Sequence, residues 1–210
     1  YAHEALCRLR TPDGELLTGY ETFTLARHLG RVDALDMALQ QKALQRKVSD
    51  FEPGVTLFLN VLPSTLMQPE WPSQFLQWLS DYGVDHHEVV IEVVESEKVD
   101  PGGLAQRCDE LRSQGLRIAL DDMGAGFNCL SVLAMVRSDF IKVDRGLVHE
   151  ARGSRVRSVL LEALVSMAER LGATVIAEGL ERQEDVTFCR ALGINLVQGF
   201  LLAKPAFAPL

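Results

Sequence analysis

Short apolar runs alternate along this chain with longer segments in which apolar residues recur every three or four positions. The short runs predict β-strands at 3–10, 56–62, 89–95, 117–121, 140–145, 174–179 and 195–201. The longer segments predict helices at 32–48, 72–82, 103–114, 130–136, 155–171 and 183–192. The predicted apolar faces are Leu35, Leu39 and Leu44 in helix 32–48, and Val159, Leu160, Leu164 and Met167 in helix 155–171. This alternation of strands and helices is typical of an α/β fold with a parallel sheet.

The strand segments are apolar almost throughout, as in VVIEVVE at 89–95 and TVIA at 174–177. Such runs are typical of parallel strands that are buried on both faces. They fit either a closed barrel of the eightfold kind or an open, doubly wound sheet.

Each apolar run ends in an acid, an amide or a lysine. These residues are Glu4, Asn60, Glu92, Asp121 with Asp122, Lys142, Glu178 and Gln198. In a barrel the carboxyl ends of all strands meet at one mouth, whereas strands at opposite edges of an open sheet cannot share a site. The pattern therefore favours a modified TIM-type (β/α)8 barrel. A barrel of this type has ~250 residues, and this chain begins its first strand at once, so we expect that the N-terminal strand of the barrel is missing from it.

The polar residues at the strand ends predict a metal site. Asp121 and Asp122 are adjacent carboxylates that repel each other and need a cation or a hydrogen-bond donor nearby. Carboxylate and amide oxygens are ligands for Mg²⁺ or Mn²⁺, and the lack of His and Cys at these positions argues against Zn²⁺. Two such cations ~3.5–4 Å apart suit attack on a phosphodiester, and Lys142 could orient or deprotonate the attacking water.

Each of these residues, taken alone, also has a purely structural explanation. Glu92 could form a salt bridge inside the barrel, Asn60 could cap loop backbone, and Asp144 could pair with Lys142. Only their joint occurrence at strand ends favours metal binding.

Composition narrows the range of functions. With 47% hydrophobic residues and no low-complexity linker, the chain predicts one domain. A net charge of −8 argues against binding a nucleic-acid polymer. The chain has no signal peptide and no apolar run long enough for a bilayer, and its four cysteines lack metal-type spacing and fit buried free thiols. We therefore expect a cytoplasmic location, on the cytoplasmic side of the membrane if the full protein is anchored.

Seven motifs, in this order, resemble the EAL domain, the bacterial module that hydrolyses cyclic di-GMP to linear pGpG. They are EALCR at Glu4, FLNVLPSTL at Asn60, IEVVES at Glu92, LDDMGAGFNCL at Asp121, FIKVDRGLV at Lys142, VIAEGLE at Glu178 and LVQGF at Gln198. The resemblance covers nearly the whole chain. It implies that residues 1–210 form a single EAL-type barrel domain, a fragment of a larger signalling protein of the kind that controls biofilms.

The resemblance also implies a role for each site residue. The first metal would be held by Glu4, Asn60, Glu92 and Asp121, and the second by Asp121, Asp122 and Glu178. Substrate contacts would come from Arg8, Leu6, Asp144 and Gln198, with Arg8 on a phosphate. The catalytic residues would be Lys142, Glu178 and Glu95. Lys142 and Gln198 would position the water, and Glu95 would steady the loop after the fourth predicted strand, 117–121.

The implied cofactors are one or two Mg²⁺ or Mn²⁺ ions, with Ca²⁺ inhibitory. The implied partners are cyclic di-GMP, a second copy of the chain through the loop after strand four and the neighbouring helix, and a sensor or GGDEF domain in the same protein.

The chain departs from the family pattern in the loop after Asp122. The changed residues are Met123, Ala125, Phe127, Asn128 and Cys129. These changes lead us to expect weaker or conditional activity rather than none, because every metal ligand and the lysine are kept. One alternative is a cyclic di-GMP receptor that does not cut, or a protein-interaction module. Another is an unrelated metal-dependent barrel of the aldolase or enolase kind, which would not predict the EALCR and AEGLE segments in this order.

Overall fold

The computed structural model describes residues 2–93, 99–124 and 129–206, with main chain only at 129–131. Its strands are β1 Ala2–Ala5, β2 Leu9–Arg10, β3 Leu16–Leu17, β4 Thr56–Val61, β5 Val89–Val93, β6 Arg117–Met123, β7 Phe140–Val143, β8 Thr174–Ala177 and β9 Leu196–Val197. All seven predicted strands form, and they pair in parallel in the order β1-β4-β5-β6-β7-β8-β9. The predicted α/β class and parallel sheet are therefore confirmed.

Helices connect the parallel strands. They are α1 Gly19–His28, α2 Val32–Asp50, α3 Pro63–Leu66, α4 Trp71–Tyr82, α5 Pro101–Ser113, α6 Cys129–Met135, α7 Arg145–Gly153, α8 Arg155–Leu171 and α9 Gln183–Ala191, with a 3-10 turn at His86–Glu88. The two edge strands β1 and β9 curl toward each other: the Gln198 side chain, just after β9, donates a hydrogen bond to Glu4 of β1 at 2.6 Å. The sheet is thus curled into a TIM-barrel-like half-barrel.

The inner face of the curled sheet has two layers. The lower layer is an apolar floor that takes one residue from every parallel strand: Ala2, Phe58, Val90, Ala119, Phe140, Ile176 and Leu196. Two residues further along each strand, on the same face, comes a polar residue: Glu4, Asn60, Glu92, Asp121, Lys142, Glu178 and Gln198. The period-two geometry of a strand therefore places a polar ring directly above the floor.

The outer face of the sheet packs against the helices. Its strand residues, such as Ile91, Ile118 and Ile141, are fully buried in one large core. Helix α4 contributes Trp71 and Phe75, whose rings stack with centroids 4.9 Å apart. Both faces of the strands are thus covered, as their apolar sequences predict.

Several predicted boundaries are wrong, most clearly at the first strand. The strand predicted at 3–10 ends at Ala5, and Leu9–Arg10 instead pairs antiparallel with Leu16–Leu17. Helix α1 was not predicted, although Thr18 and Glu21 form a capping box at its start. Helix α7 was missed as well, because Asp144 caps it and ends the strand predicted at 140–145.

The buried faces of two helices also differ from the prediction. Helix α2 buries Asp36, Gln40, Leu44 and Lys47, whereas Leu35 and Leu39 are only half-buried. Helix α8 has the predicted bounds but buries Leu161, Leu164, Val165 and Ala168, leaving Val159 and Leu160 exposed. In α2 tertiary partners decide which face is inside, whereas the residues that α8 buries form an apolar stripe of their own at i, i+3, i+4 and i+7.

Two further expectations concern membranes and thiols. None of the helices in the described ranges is both long and apolar enough to cross a bilayer. Cys108 and Cys189 are buried free thiols as predicted, but Cys7 is only half-buried.

Candidate active site

Lys142 stands at the centre of the polar ring. Its ammonium nitrogen lies 2.6 Å from Glu92, 2.7 Å from Glu178, and 3.3 Å from both Glu4 and Asp121. Lys142 and Glu92 are 1% and 0% exposed, so these charges interact with little screening from water. The predicted convergence of distant polar residues on one mouth is confirmed for these five side chains.

Two amides complete the ring beside Glu4. Asn60 donates from Nδ2 to one Glu4 oxygen at 2.9 Å, and Gln198 donates from Nε2 to the other at 2.6 Å. A carboxylate can only accept, so both amides turn their nitrogen toward Glu4. The carbonyl oxygen of Asn60 is therefore the atom left to bind a cation.

Asp121 and Asp122 reach the mouth together because β6 is irregular. In a regular strand neighbouring side chains point to opposite faces. Here the register with β7 shifts between Leu120 and Met123, and Asp122 has φ of +56°, a left-handed conformation that is rare outside glycine. Oxygens of Asp121, Asp122 and Glu178 consequently lie within 4.8 Å of one another. The Asp-Asp doublet signals the site in the sequence, but not the bulge that builds it.

Burial and charge shift the pKa values in the ring. Burial raises the pKa of Glu178 to about 7, against the opposing effect of Lys142. Burial and the neighbouring Asp121 also raise the pKa of Asp122. Burial alone would lower the pKa of Lys142, but the carboxylates, Glu92 first, raise it above its usual range. A bound divalent cation would act in the opposite direction and lower the pKa of Lys142, as the predicted deprotonation of the attacking water by this residue requires.

The donor set fits a hard divalent cation. Glu92 Oε1 and Asp121 Oδ1 have the Lys142 ammonium as their charged neighbour, at 2.6 Å and 3.3 Å, whereas Glu92 Oε2 receives no hydrogen bond among the described residues. Four carboxylates thus share one ammonium, and buried negative charge in such excess is costly unless a further cation binds it. The predicted ligands Glu4, Asn60, Glu92, Asp121, Asp122 and Glu178 thus offer oxygen atoms of the kind that Mg²⁺ and Mn²⁺ prefer.

The predicted substrate-binding residues lie at the rim. Arg8 and Leu6 are exposed, and the Arg8 guanidinium donates to the Cys7 carbonyl at 2.6 Å. Asp144 lies just beyond β7 and accepts the Gly146 amide at 2.7 Å, which caps α7. Its predicted contact with substrate is untested, as is that of Gln198. Glu95 and the loop residues 125–128 lie outside the described residues.

The fold and site together define a barrel-like α/β protein with a carboxylate-rich pocket at the carboxyl ends of its strands. The family model described as the EAL domain matches residues 1–205. The chain therefore belongs to the EAL domain family.

Curated relatives resemble the chain along most of its length. It is 28% identical, over 86% of its residues, to the probable cyclic di-GMP phosphodiesterase PdeN of Escherichia coli K12, and it spans 34% of that protein. It is 28% identical, over 92% of its residues, to the cyclic di-GMP phosphodiesterase RocR of Pseudomonas aeruginosa PAO1, and it spans 49% of that protein. The chain thus corresponds to half or less of each of these relatives.

A solved structure has the same fold. The calcium and cyclic di-GMP complex of Klebsiella pneumoniae BlrP1 is 31% identical, with a TM-score of 0.86, and the match covers 98% of this chain and 51% of that one. A manganese and cyclic di-GMP complex of BlrP1 matches with a TM-score of 0.84 and 31% identity, over 95% of this chain and 50% of that one.

Proposed function

We propose that this chain is a metal-dependent phosphodiesterase domain that hydrolyses cyclic di-GMP to linear pGpG. One observation carries the proposal: four carboxylates lie within 3.3 Å of Lys142, so that a single ammonium faces four acidic groups, and Glu92 Oε2 receives no hydrogen bond among the described residues. The names of PdeN and RocR and the ligands in the BlrP1 complexes support this substrate.

The proposed cofactor is Mg²⁺ or Mn²⁺, as one ion or two. Glu4, Asn60, Glu92 and Asp121 would hold the first, and Asp121, Asp122 and Glu178 the second. A bound divalent cation supplies Lewis-acid polarisation of the phosphate and a more acidic water. The inhibition by Ca²⁺ that we expect is part of the same proposal.

The chain's own residues would orient the reactants. Lys142 would orient the attacking water as an ammonium, or take its proton where the bound cations lower the pKa of the lysine, and the Gln198 side-chain amide would help to place the water. Arg8 suits a phosphate because a guanidinium can donate two parallel hydrogen bonds to its oxygens. The water oxygen bonds to phosphorus as one ester bond to ribose breaks; the water gives up one proton and the departing ribose oxygen takes one up, so that the reaction consumes one water and no net proton is exchanged between these two oxygens.

A second candidate function is a receptor that binds cyclic di-GMP without cutting it. The altered loop favours this alternative. Met123, where the EAL resemblance expects Phe, directly follows the proposed metal ligand Asp122, and changes from here onward would weaken binding of the second metal while leaving the ligands themselves intact. Calorimetry with Ca²⁺, which we expect to support binding but little turnover, separates binding from hydrolysis.

The direct test is pGpG production from cyclic di-GMP with Mn²⁺. We expect Glu4→Ala and Lys142→Ala to lose about a hundredfold or more in rate, as is typical when a positioned proton-transfer or charge-stabilising group is removed. Asp81→Asn, a change at an exposed acid of α4, is the matched control and should keep the wild-type rate. Equal rates in wild type, Glu4→Ala and Lys142→Ala would contradict the site assignment.

The partners and setting of the domain are part of the proposal. We expect residues 1–210 to act as one output domain beside a sensor or GGDEF domain, in the cytoplasm, and to form a homodimer through the loop after β6 and the neighbouring helix. Light scattering over a range of protein concentrations measures the mass and tests the dimer.

A further inference from the structure

Asp36 is a buried carboxylate outside the polar ring. It lies in α2 with 3% of its surface exposed, and Gln40, one turn later, is 1% exposed. An acid is costly to bury at such a position unless it makes specific hydrogen bonds. Packing alone therefore does not account for it.

Asp36 is hydrogen-bonded to the main chain that follows β4. Its Oδ2 accepts the Leu62 amide at 3.1 Å and the Gln40 side-chain amide at 2.9 Å. Gln40 in turn accepts the Trp71 indole at 2.7 Å. This chain of bonds ties α2 to α4 and, through Asp36, to the end of β4.

Leu62 stands two residues after Asn60. It is the N-cap of α3, where no side chain of its own caps the helix, so Asp36 provides the acceptor that fixes the main chain at this turn. Asn60 lies in β4, where it pairs with Glu92 of β5, and the turn that Asp36 fixes begins two residues later at the end of the same strand.

We infer that Asp36 is a positioning residue for the cation site: its carboxylate fixes the chain after β4 and thereby holds the Asn60 amide against Glu4. The inference rests on the proposed function, because Asn60 and Glu4 are proposed to hold the cation. Groups that orient metal ligands from outside typically change metal affinity by about 10–100-fold when they are removed.

The test is the affinity for Mn²⁺ alone, measured by calorimetry or by the electron paramagnetic resonance of free Mn²⁺. Asp36→Ala removes the acceptor for Leu62 and should weaken Mn²⁺ binding by about tenfold or more. Asp36→Asn keeps an oxygen that can accept, and should recover most of the affinity. In the hydrolysis assay, Asp36→Ala should need more Mn²⁺ for half its maximal rate, while the rate at saturating Mn²⁺ stays close to that of the wild type.

Two matched controls separate positioning from stability. Asp33→Asn weakens another α2–α3 contact, in which the Ser64 hydroxyl donates to Asp33 at 3.1 Å, but leaves Leu62 untouched. Trp71→Phe breaks the bond to Gln40 and lowers the melting temperature of the same core. Both should bind Mn²⁺ within about twofold of the wild type, since neither removes the Leu62 acceptor.

The outcomes are distinct for the two claims. Should Asp36→Ala not fold, Asp36→Leu, which fills the space without an acceptor, makes the same comparison. Wild-type affinity in the folded variant, or an equal loss in Trp71→Phe, overturns the inference and leaves the proposed function intact. A wild-type protein that binds no Mn²⁺ overturns the proposed function itself.

Discussion

At the scale of single residues, Asp122 combines a proposed cation-binding role with a left-handed backbone. Its φ of +56° places the Cβ close to the following carbonyl, at a penalty of about 1–2 kcal/mol for most residues that is smaller for Asp and Asn. Its pKa is raised by burial, Asp121 and Asp144, which shows that the carboxylate is also held among like charges. The conformation is retained because the bulge in β6 brings Asp121 and Asp122 to the same mouth.

A pair of substitutions at this residue separates backbone strain from charge. Asp122→Gly and Asp122→Ala both remove the carboxylate, but only glycine adopts the left-handed conformation freely, so Asp122→Gly should be more stable by about 1 kcal/mol. Both variants should bind fewer Mn²⁺ ions or bind them more weakly. Denaturant unfolding and Mn²⁺ titration measure the two effects. Equal stability of the two variants would show that the left-handed conformation is not under strain.

At the scale of secondary structure, the position of Gln198 depends on how closely the ends of β8 and β9 approach. Gly199 has φ of +157°, and a Cβ on it would lie 2.2 Å from the backbone nitrogen and oxygen of Leu180. On either side of this contact, the main-chain N–H of Gln198 donates to the Ala177 carbonyl, and the main-chain carbonyl of Gln198 accepts the Leu180 N–H. Backbone atoms cannot move aside as a flexible side chain can, so only glycine fits.

Gly199→Ala should therefore displace the whole strand end. We expect a loss of unfolding free energy of about 3 kcal/mol or more, at the high end for added volume in a packed region, together with a large fall in hydrolysis as Gln198 leaves Glu4. Gly193→Ala is the matched control: its φ is +86°, but the nearest atom to a new Cβ is a Glu169 oxygen at 3.8 Å. It should cost about 1 kcal/mol and leave the rate unchanged. A Gly199→Ala variant as active as Gly193→Ala would contradict the close approach.

At the scale of the whole molecule, the crowding of carboxylates in the ring lowers the free energy of unfolding at neutral pH, and Glu178 shows the effect most clearly. Glu178 binds its proton more tightly in the folded chain, with a pKa of about 7 against a usual 4.5. Its contribution to stability is therefore fully present below pH 4.5 and is lost as the pH rises toward 7. A cation bound in the ring, as proposed, would replace that proton and offset the repulsion between the carboxylates.

Divalent metal should consequently raise the melting temperature, and more so at pH 8 than at pH 6, where Glu178 must first release its proton. At a free Mn²⁺ concentration of about a hundred times the dissociation constant, the gain is about 2.7 kcal/mol, which for a domain of this size corresponds to about 5–10 °C. Calorimetric melting with Mn²⁺ and with EDTA, at constant ionic strength, measures it. Asp81→Asn should keep the full shift, and a shift of the same size in Glu4→Ala would show that the ion binds elsewhere.

The sequence by itself determined the order of the parallel strands and the polar residues of the mouth. Runs such as VVIEVVE and TVIA are local signals for buried strands, and the two-residue period of a strand then places Glu92 and Glu178 above the floor residues Val90 and Ile176. The EAL resemblance drew on the same strand ends. These features were predictable because they depend on neighbours along the chain.

Only the tertiary structure decided how those residues meet. The bulge at Asp122 depends on the register between β6 and β7, and the central place of Lys142 depends on carboxylates from four other strands or their ends. The polar face of α2 is buried because Asp36 meets the Leu62 amide, a partner 26 positions away. Long-range contacts such as these have no local pattern, because the free energy that selects them appears only once distant segments have packed together.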